Sequence, residues 1–274
     1  MAQIKVPGAQ LEILDTHEGD ETICFSHGLL FSHELYQPQI EALRGRHRCV
    51  AWDHRGQGAS SVPPGRIVTI ETVTADAIAL IEALQIAPVH FVGLSMGGFV
   101  GLRIAARRPD LVRSLILLET AADPEPTEHL RRYRALNLAA RTLGIQRWLA
   151  DRVLKIMCGA SVLADPSRAP RVDRIRGLLM ANARSVYKAV NGVLERDGVE
   201  HELSQIRCPT LVVRAREDAA IALPRARQLV EGIAGAQWVE LPRGGHSCTL
   251  EEPEAVNEAL MTFLDALPRA GDLT

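Results

Sequence analysis

The chain has 274 residues, of which 47% are hydrophobic and 23% are charged, and its formal net charge is -2. This composition suits a large folded domain with an ample apolar core, and it argues against a disordered chain and against membrane spanning. No cluster of lysine and arginine is dense enough to indicate a nucleic-acid interface.

The cysteines and the N-terminus bear on the compartment and on metal binding. The five cysteines are Cys24, Cys49, Cys158, Cys208 and Cys248. They form no C-x-x-C pair, and their odd number and apolar neighbours indicate reduced thiols rather than a zinc site. Residues 1–6 lack the charged segment and apolar core of a secretion signal. The sequence therefore predicts a cytoplasmic protein without a bound metal.

Short strand-like runs alternate with amphipathic helical runs through the first half of the chain. The predicted strands are 10–14, 22–26, 48–52, 89–92 and 113–118, and the predicted helices are 33–43, 70–84 and 96–107. Pro109 is expected to end the last of these helices. This alternation predicts parallel βαβ units with helices on both faces of the sheet.

The alternation breaks near Ala121, and residues 123–200 are almost wholly helical in pattern. Strands at 209–213 and 237–241 and helices at 225–233 and 253–267 then resume it. A helical insertion in a continuing sheet is the simplest interpretation. We therefore expect a core of residues 1–121, a helical cap of residues 122–204, and a second part of the core at residues 205–274.

Ser95 lies in Gly93-Leu94-Ser95-Met96-Gly97-Gly98, between a predicted strand and a predicted helix. A serine on such a tight turn is exposed as a nucleophile, and glycines on either side avoid a collision of side chains. The helix that follows points its free N–H groups at the same place, where they stabilise negative charge. The same short pattern also occurs in ordinary turns, but its position between strand and helix favours the nucleophile.

Further motifs occur in a recognisable order along the chain. They are Ser26-His27-Gly28-Leu29, the run from Asp53 to Ser60 (DHRGQGAS), the turn at Ser95, Arg216-Glu217-Asp218, and Gly244-Gly245-His246. With these motifs the chain resembles the α/β-hydrolases over essentially its whole length. It is similar to the cap-bearing serine hydrolases, which include carboxylesterases, 3-oxoadipate enol-lactonases and cofactor-free haloperoxidases. The resemblance implies a mostly parallel central sheet with helices on both faces and a helical cap inserted after the sixth strand.

The resemblance also implies a catalytic triad in the order serine, acid, histidine. Ser95 is then the nucleophile, His246 the general base, and Asp218 the acid that orients the imidazole. Some members of the family carry the acid after an earlier strand, so Glu119 and Asp123 remain alternatives to Asp218.

The backbone N–H groups of Leu29 and Met96 are expected to form the oxyanion hole, again by resemblance to the family. His27 is expected to be structural, because a metal site that combined it with His33 or His54 would lack a third ligand. Arg55 is expected to hold its loop by hydrogen bonds rather than to bind substrate.

The predicted cap is strongly apolar, which favours neutral esters or lactones as substrates. Tyr133, Trp148 and Leu149 are the candidate substrate-binding residues. Three arginines in the same region leave a carboxylate-bearing substrate open as a further hypothesis. They are Arg131, Arg134 and Arg174.

The favoured function is hydrolysis of a carboxylic ester or lactone through an acyl-enzyme on Ser95, with no cofactor, with a small-molecule ester or lactone as substrate, and with neither nucleic acid nor a membrane as partner. Perhydrolysis of the haloperoxidase kind and hydrolysis of carbon–carbon bonds would use the same triad. A ligand receptor with this fold is an alternative of a different class. The sequence leaves the natural substrate and the oligomeric state open.

Overall fold

A computed structural model describes residues 2–268, which contain an eight-stranded sheet. The strands are β1 Ala2–Val6, β2 Ala9–Asp15, β3 Thr22–Ser26, β4 Arg48–Trp52, β5 Val89–Leu94, β6 Val112–Leu118, β7 Thr210–Ala215 and β8 Gln237–Leu241. Their order across the sheet is β1-β2-β4-β3-β5-β6-β7-β8. β2 is antiparallel to both β1 and β4, whereas β4, β3 and β5 to β8 run parallel. The predicted mostly parallel sheet is confirmed.

Helices connect the strands and agree closely with the sequence pattern. They are α1 Gln37–Leu43, α2 Ile70–Leu84, α3 Met96–Arg107, α4 Thr127–Leu143, α5 Arg147–Met157, α6 Ala160–Ala164, α7 Ala169–Met180, α8 Tyr187–Leu194, α9 Leu223–Gly232, α10 Cys248–Glu251 and α11 Pro253–Asp265. The predicted helix at 33–43 begins as a 3-10 turn, His33–Tyr36, before α1. The prediction omitted β1, whose largely exposed residues give little hydrophobic signal.

Side chains of the central strands alternate between two apolar layers, as the period of a β-strand requires. Phe25 and Leu118 pack on one face of the sheet, and their neighbours Cys24 and Leu117 pack on the other. The first layer includes residues of α1, α11 and the helices that follow β6, and the second includes residues of α2 and α3. Because both faces are covered, these strands are apolar throughout rather than alternately polar.

Helices α4 to α8 lie between β6 and β7 in the chain, where the insertion was predicted. This helical segment is bonded to the core: Asn182 Nδ2 donates to the Leu30 carbonyl at 2.7 Å, and Val68 N–H donates to the Lys188 carbonyl at 2.9 Å. Its status as a separate cap, with boundaries at 122 and 204, stays a prediction. Residues 1 and 269–274 of the predicted core lie outside the described residues.

Two further observations concern the cysteines and the membrane. All five cysteines are free thiols, and four of them are buried. Across residues 2–268, no helix combines the length and the apolar character that crossing a bilayer requires.

Candidate active site

Ser95 occupies the turn between β5 and α3 with φ 52° and ψ -111°, a backbone conformation that non-glycine residues rarely adopt. Such a conformation persists only where the surroundings hold it. Here Ser95 N–H donates to the Leu118 carbonyl at 2.9 Å, and the Thr120 hydroxyl donates to the Ser95 carbonyl at 2.8 Å. The turn therefore fixes the Ser95 side chain at the carboxyl end of the parallel strands.

The glycines on either side of Ser95 are required by close backbone approach. A Cβ atom on Gly93 would overlap the carbonyl of Gly97, and a Cβ atom on Gly97 would overlap the carbonyl of Ser26. The turn can therefore close only when positions 93 and 97 lack side chains.

Asp218 and His246 form a buried pair in the loops that follow β7 and β8. The His246 Nδ1 atom lies 3.0 Å from Asp218 Oδ2 and 3.2 Å from Oδ1. The N–H groups of Ala220 and Ile221 also donate to the Asp218 carboxylate, at 2.7 and 3.2 Å. The aspartate is therefore held by its own loop and by the imidazole together.

The charges of this pair support each other. Burial raises the pKa of Asp218, but the charge and hydrogen bond of His246, together with hydrogen bonds from Glu119 and the Ala220 N–H, lower it below its usual value. Burial lowers the pKa of His246, but the charge and hydrogen bond of Asp218, together with the charges of Glu251 and Glu125, raise it above its usual value. An ionised aspartate beside an imidazole that readily accepts a proton is the arrangement that general-base catalysis needs.

Ser95 and His246 line the same cavity, whose volume is about 140 Å³. No hydrogen bond between their two side chains is present among the bonds of residues 2–268. The structure thus places all three predicted triad residues at one edge of the sheet, with the contact between His246 and Asp218 formed.

The predicted oxyanion-hole residues lie beside this cavity. Leu29 lines it, and Met96 is the first residue of α3, directly after Ser95. Within residues 2–268, neither the Leu29 N–H nor the Met96 N–H has a backbone or side-chain acceptor. Both donors are therefore available to a substrate oxygen, as an oxyanion hole requires.

Gln57 connects the two predicted oxyanion-hole segments, a role that the sequence analysis missed. Its Oε1 atom accepts a hydrogen bond from Leu30 N–H at 2.8 Å, and its Nε2 atom lies 3.7 Å from the Met96 sulfur. The motif in which Gln57 lies was recognised, but these contacts bridge 27 and 39 positions of sequence.

Of the acids considered from sequence, only Asp218 has a hydrogen bond to His246 among the described residues. Asp123 instead binds Arg225, with a shortest distance of 2.7 Å to Nε. Glu119 is buried, and its Oε1 atom accepts the Ala215 N–H at 2.6 Å. Burial, and then the adjacent charge of Asp218, raise the pKa of Glu119 well above its ordinary range. Its surroundings therefore favour the neutral form of Glu119, whereas those of Asp218 favour the anion.

The candidate substrate-binding residues are divided by the structure. Tyr133 and Leu149 line the cavity. Trp148 is not among the lining residues. It is 45% exposed, and its ring lies 5.6 Å from the Arg152 guanidinium. Leu149, one position along α5, points inward instead.

The three arginines considered as partners for a substrate carboxylate are exposed and do not line the cavity. Arg174, for example, donates from Nη2 to Gln37 Oε1 at 2.5 Å. Glu125 does line the cavity, together with the titratable residues Tyr133 and His246. Its carboxylate accepts hydrogen bonds from Arg196 at 3.1 Å and from His129 at 3.0 Å. The cavity is otherwise largely apolar.

His27 and Arg55 make the structural contacts expected of them. The His54 N–H donates to His27 Nε2 at 2.9 Å, so Nδ1 carries the proton and donates to the Gly28 carbonyl at 2.7 Å. Burial lowers the pKa of His27 to about 4. Arg55 binds Asp76 and the Pro7 carbonyl. Both ring nitrogens of His27 are thereby occupied within the protein.

Comparison with known proteins identifies the family. Residues 25–259 match the model of the alpha/beta hydrolase family. The chain belongs to this family. RutD from Caulobacter sp. (strain K31), whose name proposes a carbamate hydrolase, is 31% identical over 247 residues, which are 89% of this chain and 90% of that protein.

Two solved structures share the whole architecture of this hydrolase. A thermophilic esterase from Thermogutta terrifontis has a TM-score of 0.88 and 27% identity, covering 97% of this chain and 98% of the esterase. An enol-lactonase from Burkholderia xenovorans LB400 has a TM-score of 0.87 and 29% identity, covering 96% of this chain and all of the lactonase.

The contact between Asp218 and His246 predicts unequal effects of two conservative substitutions. We expect Asp218→Asn to lower kcat for a p-nitrophenyl ester by about 10⁴-fold, because removing the acid of such a triad leaves the imidazole in the wrong tautomer. Glu119→Gln should stay within about threefold of wild type, because the neutral amide resembles the protonated acid that burial favours at this position. The reverse order of the two variants would assign the acid to Glu119.

The raised pKa of His246 predicts the position of the acid limb of the pH profile. The general base must be neutral, so activity should fall as the pH drops below the pKa of His246. Because Asp218 raises that pKa, the limb in kcat/KM should lie above the ordinary value of 6.5. An acid limb well below 6.5 would contradict a close pairing of His246 with Asp218.

Proposed function

We propose that this protein hydrolyses carboxylic esters or lactones through an acyl-enzyme on Ser95. The observation that supports this most directly is the buried pair of Asp218 and His246 on the cavity into which the strained turn presents Ser95. The esterase and the enol-lactonase among the similar structures agree with this class of reaction.

In the first half of the reaction, Ser95 Oγ attacks the substrate carbonyl carbon while His246 Nε2 accepts the hydroxyl proton. Asp218 holds the proton on Nδ1 and stabilises the imidazolium that results. The carbonyl oxygen becomes an oxyanion and accepts hydrogen bonds from the Met96 and Leu29 N–H groups. When the intermediate collapses, the bond to the leaving oxygen breaks and His246 gives that oxygen its proton. An acyl group then remains on Ser95.

In the second half, His246 takes a proton from a water molecule, which attacks the acyl carbon. The second oxyanion is stabilised by the same two N–H groups. Its collapse releases the carboxylic acid and returns the proton from His246 to Ser95. Apart from this water molecule, the chain's own residues supply the nucleophile, the base and the oxyanion donors of these steps.

The cavity lining supports a neutral substrate with an apolar acyl or alkyl part. Tyr133 and Leu149, from α4 and α5, contribute to an apolar wall that α8 completes with Val190. Glu125 at this wall is already paired with Arg196, and the lining residues include no lysine or arginine that could pair with a substrate carboxylate. We propose that the helical segment acts as a cap that excludes water and selects the substrate.

Substitution of Ser95 tests the mechanism. Wild-type protein should release p-nitrophenol from p-nitrophenyl butyrate over many turnovers, and Ser95→Ala should reduce the rate by at least about 10³-fold, because the nucleophile is gone. Ser32→Ala, which removes a hydroxyl from a partly exposed turn, is the matched control and should retain activity. Stoichiometric binding of the ester without repeated release of p-nitrophenol would instead support a receptor. Turnover that requires hydrogen peroxide would support a perhydrolase.

Substrate charge tests the character of the pocket. We expect kcat/KM for p-nitrophenyl butyrate to exceed that for the similarly sized hemisuccinate ester by about tenfold or more, because the apolar lining holds no lysine or arginine to pair with the second carboxylate and Arg196 is already bound to Glu125. Glu125→Gln should narrow this ratio. Faster hydrolysis of the hemisuccinate by the wild type would contradict a pocket for neutral substrates.

A further inference from the structure

A buried carboxylate outside the predicted triad binds the backbone on both sides of His246. Glu251 lies at the end of α10 and has no exposed surface. Its Oε1 atom accepts hydrogen bonds from the N–H groups of Gly245 and Ser247, each at 3.1 Å. Its Oε2 atom accepts the N–H of Gly159 at 2.7 Å. One side chain therefore connects the His246 loop to the helical segment.

The two pieces of backbone that Glu251 joins are in direct contact. A Cβ atom on Gly245 would overlap the Gly159 nitrogen and would lie 2.6 Å from the Cys158 carbonyl carbon. Ser247 N–H also donates to the Met157 carbonyl at 2.7 Å. The two backbone segments are too close for a side chain to lie between them. Hydrogen bonds between the segments therefore hold the His246 loop in place.

Packing alone does not explain a carboxylate at position 251. Burying a carboxylate costs free energy, which an apolar side chain of the same size would not incur. Burial raises the pKa of Glu251 to about 7, although its three N–H donors act in the opposite direction. Arg168 and Arg171 approach its backbone carbonyl, at 3.1 and 2.8 Å, rather than its carboxylate. The carboxylate is thus used to accept the three N–H groups.

A second acid connects the Asp218 loop to the same part of the helical segment. Glu217 accepts hydrogen bonds from the N–H of Ser161 at 2.7 Å and from its hydroxyl at 2.5 Å. The loops carrying Asp218 and His246 are therefore both anchored on residues 159–161. Displacement of that stretch would move both members of the buried pair.

We propose that Glu251 is a positioning residue that fixes the His246 backbone against the helical segment and so directs the imidazole towards Ser95. This inference rests on the proposed function, in which His246 is the general base. Glu251 is not among the residues that line the cavity, and its side-chain hydrogen bonds go to the N–H groups of Gly159, Gly245 and Ser247. Its contribution therefore belongs to the proton transfers of His246, of which acylation is the first, rather than to substrate binding.

Two substitutions separate positioning from packing. Glu251→Gln keeps a carbonyl oxygen that can accept the Gly245 and Ser247 N–H groups, but it turns an amide towards the Gly159 N–H. Glu251→Leu fills the space and accepts no hydrogen bond. A positioning role predicts that Gln retains more activity than Leu, whereas a packing role predicts the opposite, because leucine avoids burying a polar group.

The experiment is a pre-steady-state measurement of p-nitrophenol release from p-nitrophenyl butyrate by the full-length variants. We expect the acylation rate at saturation to fall about tenfold in Glu251→Gln and about 100-fold in Glu251→Leu, corresponding to the loss of one or several charged hydrogen bonds. The substrate dissociation constant should stay within about twofold. Glu254→Gln, which removes a largely exposed partner of Arg171, is the matched control and should match wild type.

The outcomes distinguish this inference from the proposed function. Acylation in Glu251→Gln and Glu251→Leu within twofold of wild type, while Ser95→Ala is inactive, would overturn the positioning role alone. Higher activity in Leu than in Gln, or an equal loss of affinity and acylation, would also overturn it. Should Glu251→Leu fail to fold, the Gln variant decides, because its folded fraction can be normalised by titrating Ser95 with an alkyl phosphonate. Full activity in Ser95→Ala would overturn the proposed function instead.

Discussion

The buried contact between Asp218 and His246 is the interaction on which the site depends. Each group is desolvated, and each is tolerated inside the protein because the other is close. The pair requires two loops, from the ends of β7 and β8, to meet at the sheet edge where Ser95 stands. The parallel sheet supplies this meeting point, since the carboxyl ends of its strands gather at one edge.

Three buried carboxyl groups near the site differ because their partners differ. Asp218 is stabilised as an anion by the imidazole and by backbone donors. Burial and then the adjacent Asp218 charge raise the pKa of Glu119, which favours its neutral form. Burial raises the pKa of Glu251 to about 7, because its three N–H donors offset only part of the cost of burying the charge. Environment, not residue type, assigns each group its state.

Local sequence patterns were sufficient to predict many of the helices and strands, but they did not predict the long-range contacts of the site. The helices at 70–84 and 96–107 and the turn at Ser95 follow from periodicity, glycine placement and a stop at Pro109, all of which act over a few residues. The orientation of α5 does not follow from such local patterns. Trp148 faces solvent and Leu149 faces the cavity because packing against the core fixes the rotation of the helix. The contacts of Gln57 and Glu251 bridge distant positions, and no sequence period marks them.

The central claim is that Ser95, His246, Asp218 and two backbone N–H groups act on one reacting carbon. A crystal structure of the protein inactivated with a p-nitrophenyl alkylphosphonate, which mimics the tetrahedral intermediate, tests it most directly. The account predicts a phosphorus–oxygen bond to Ser95 Oγ, with one phosphonyl oxygen within hydrogen-bonding distance of the Met96 and Leu29 N–H groups and with His246 Nε2 beside the ester oxygen. An adduct on another residue, or an imidazole that remains remote from the phosphonate, would contradict it.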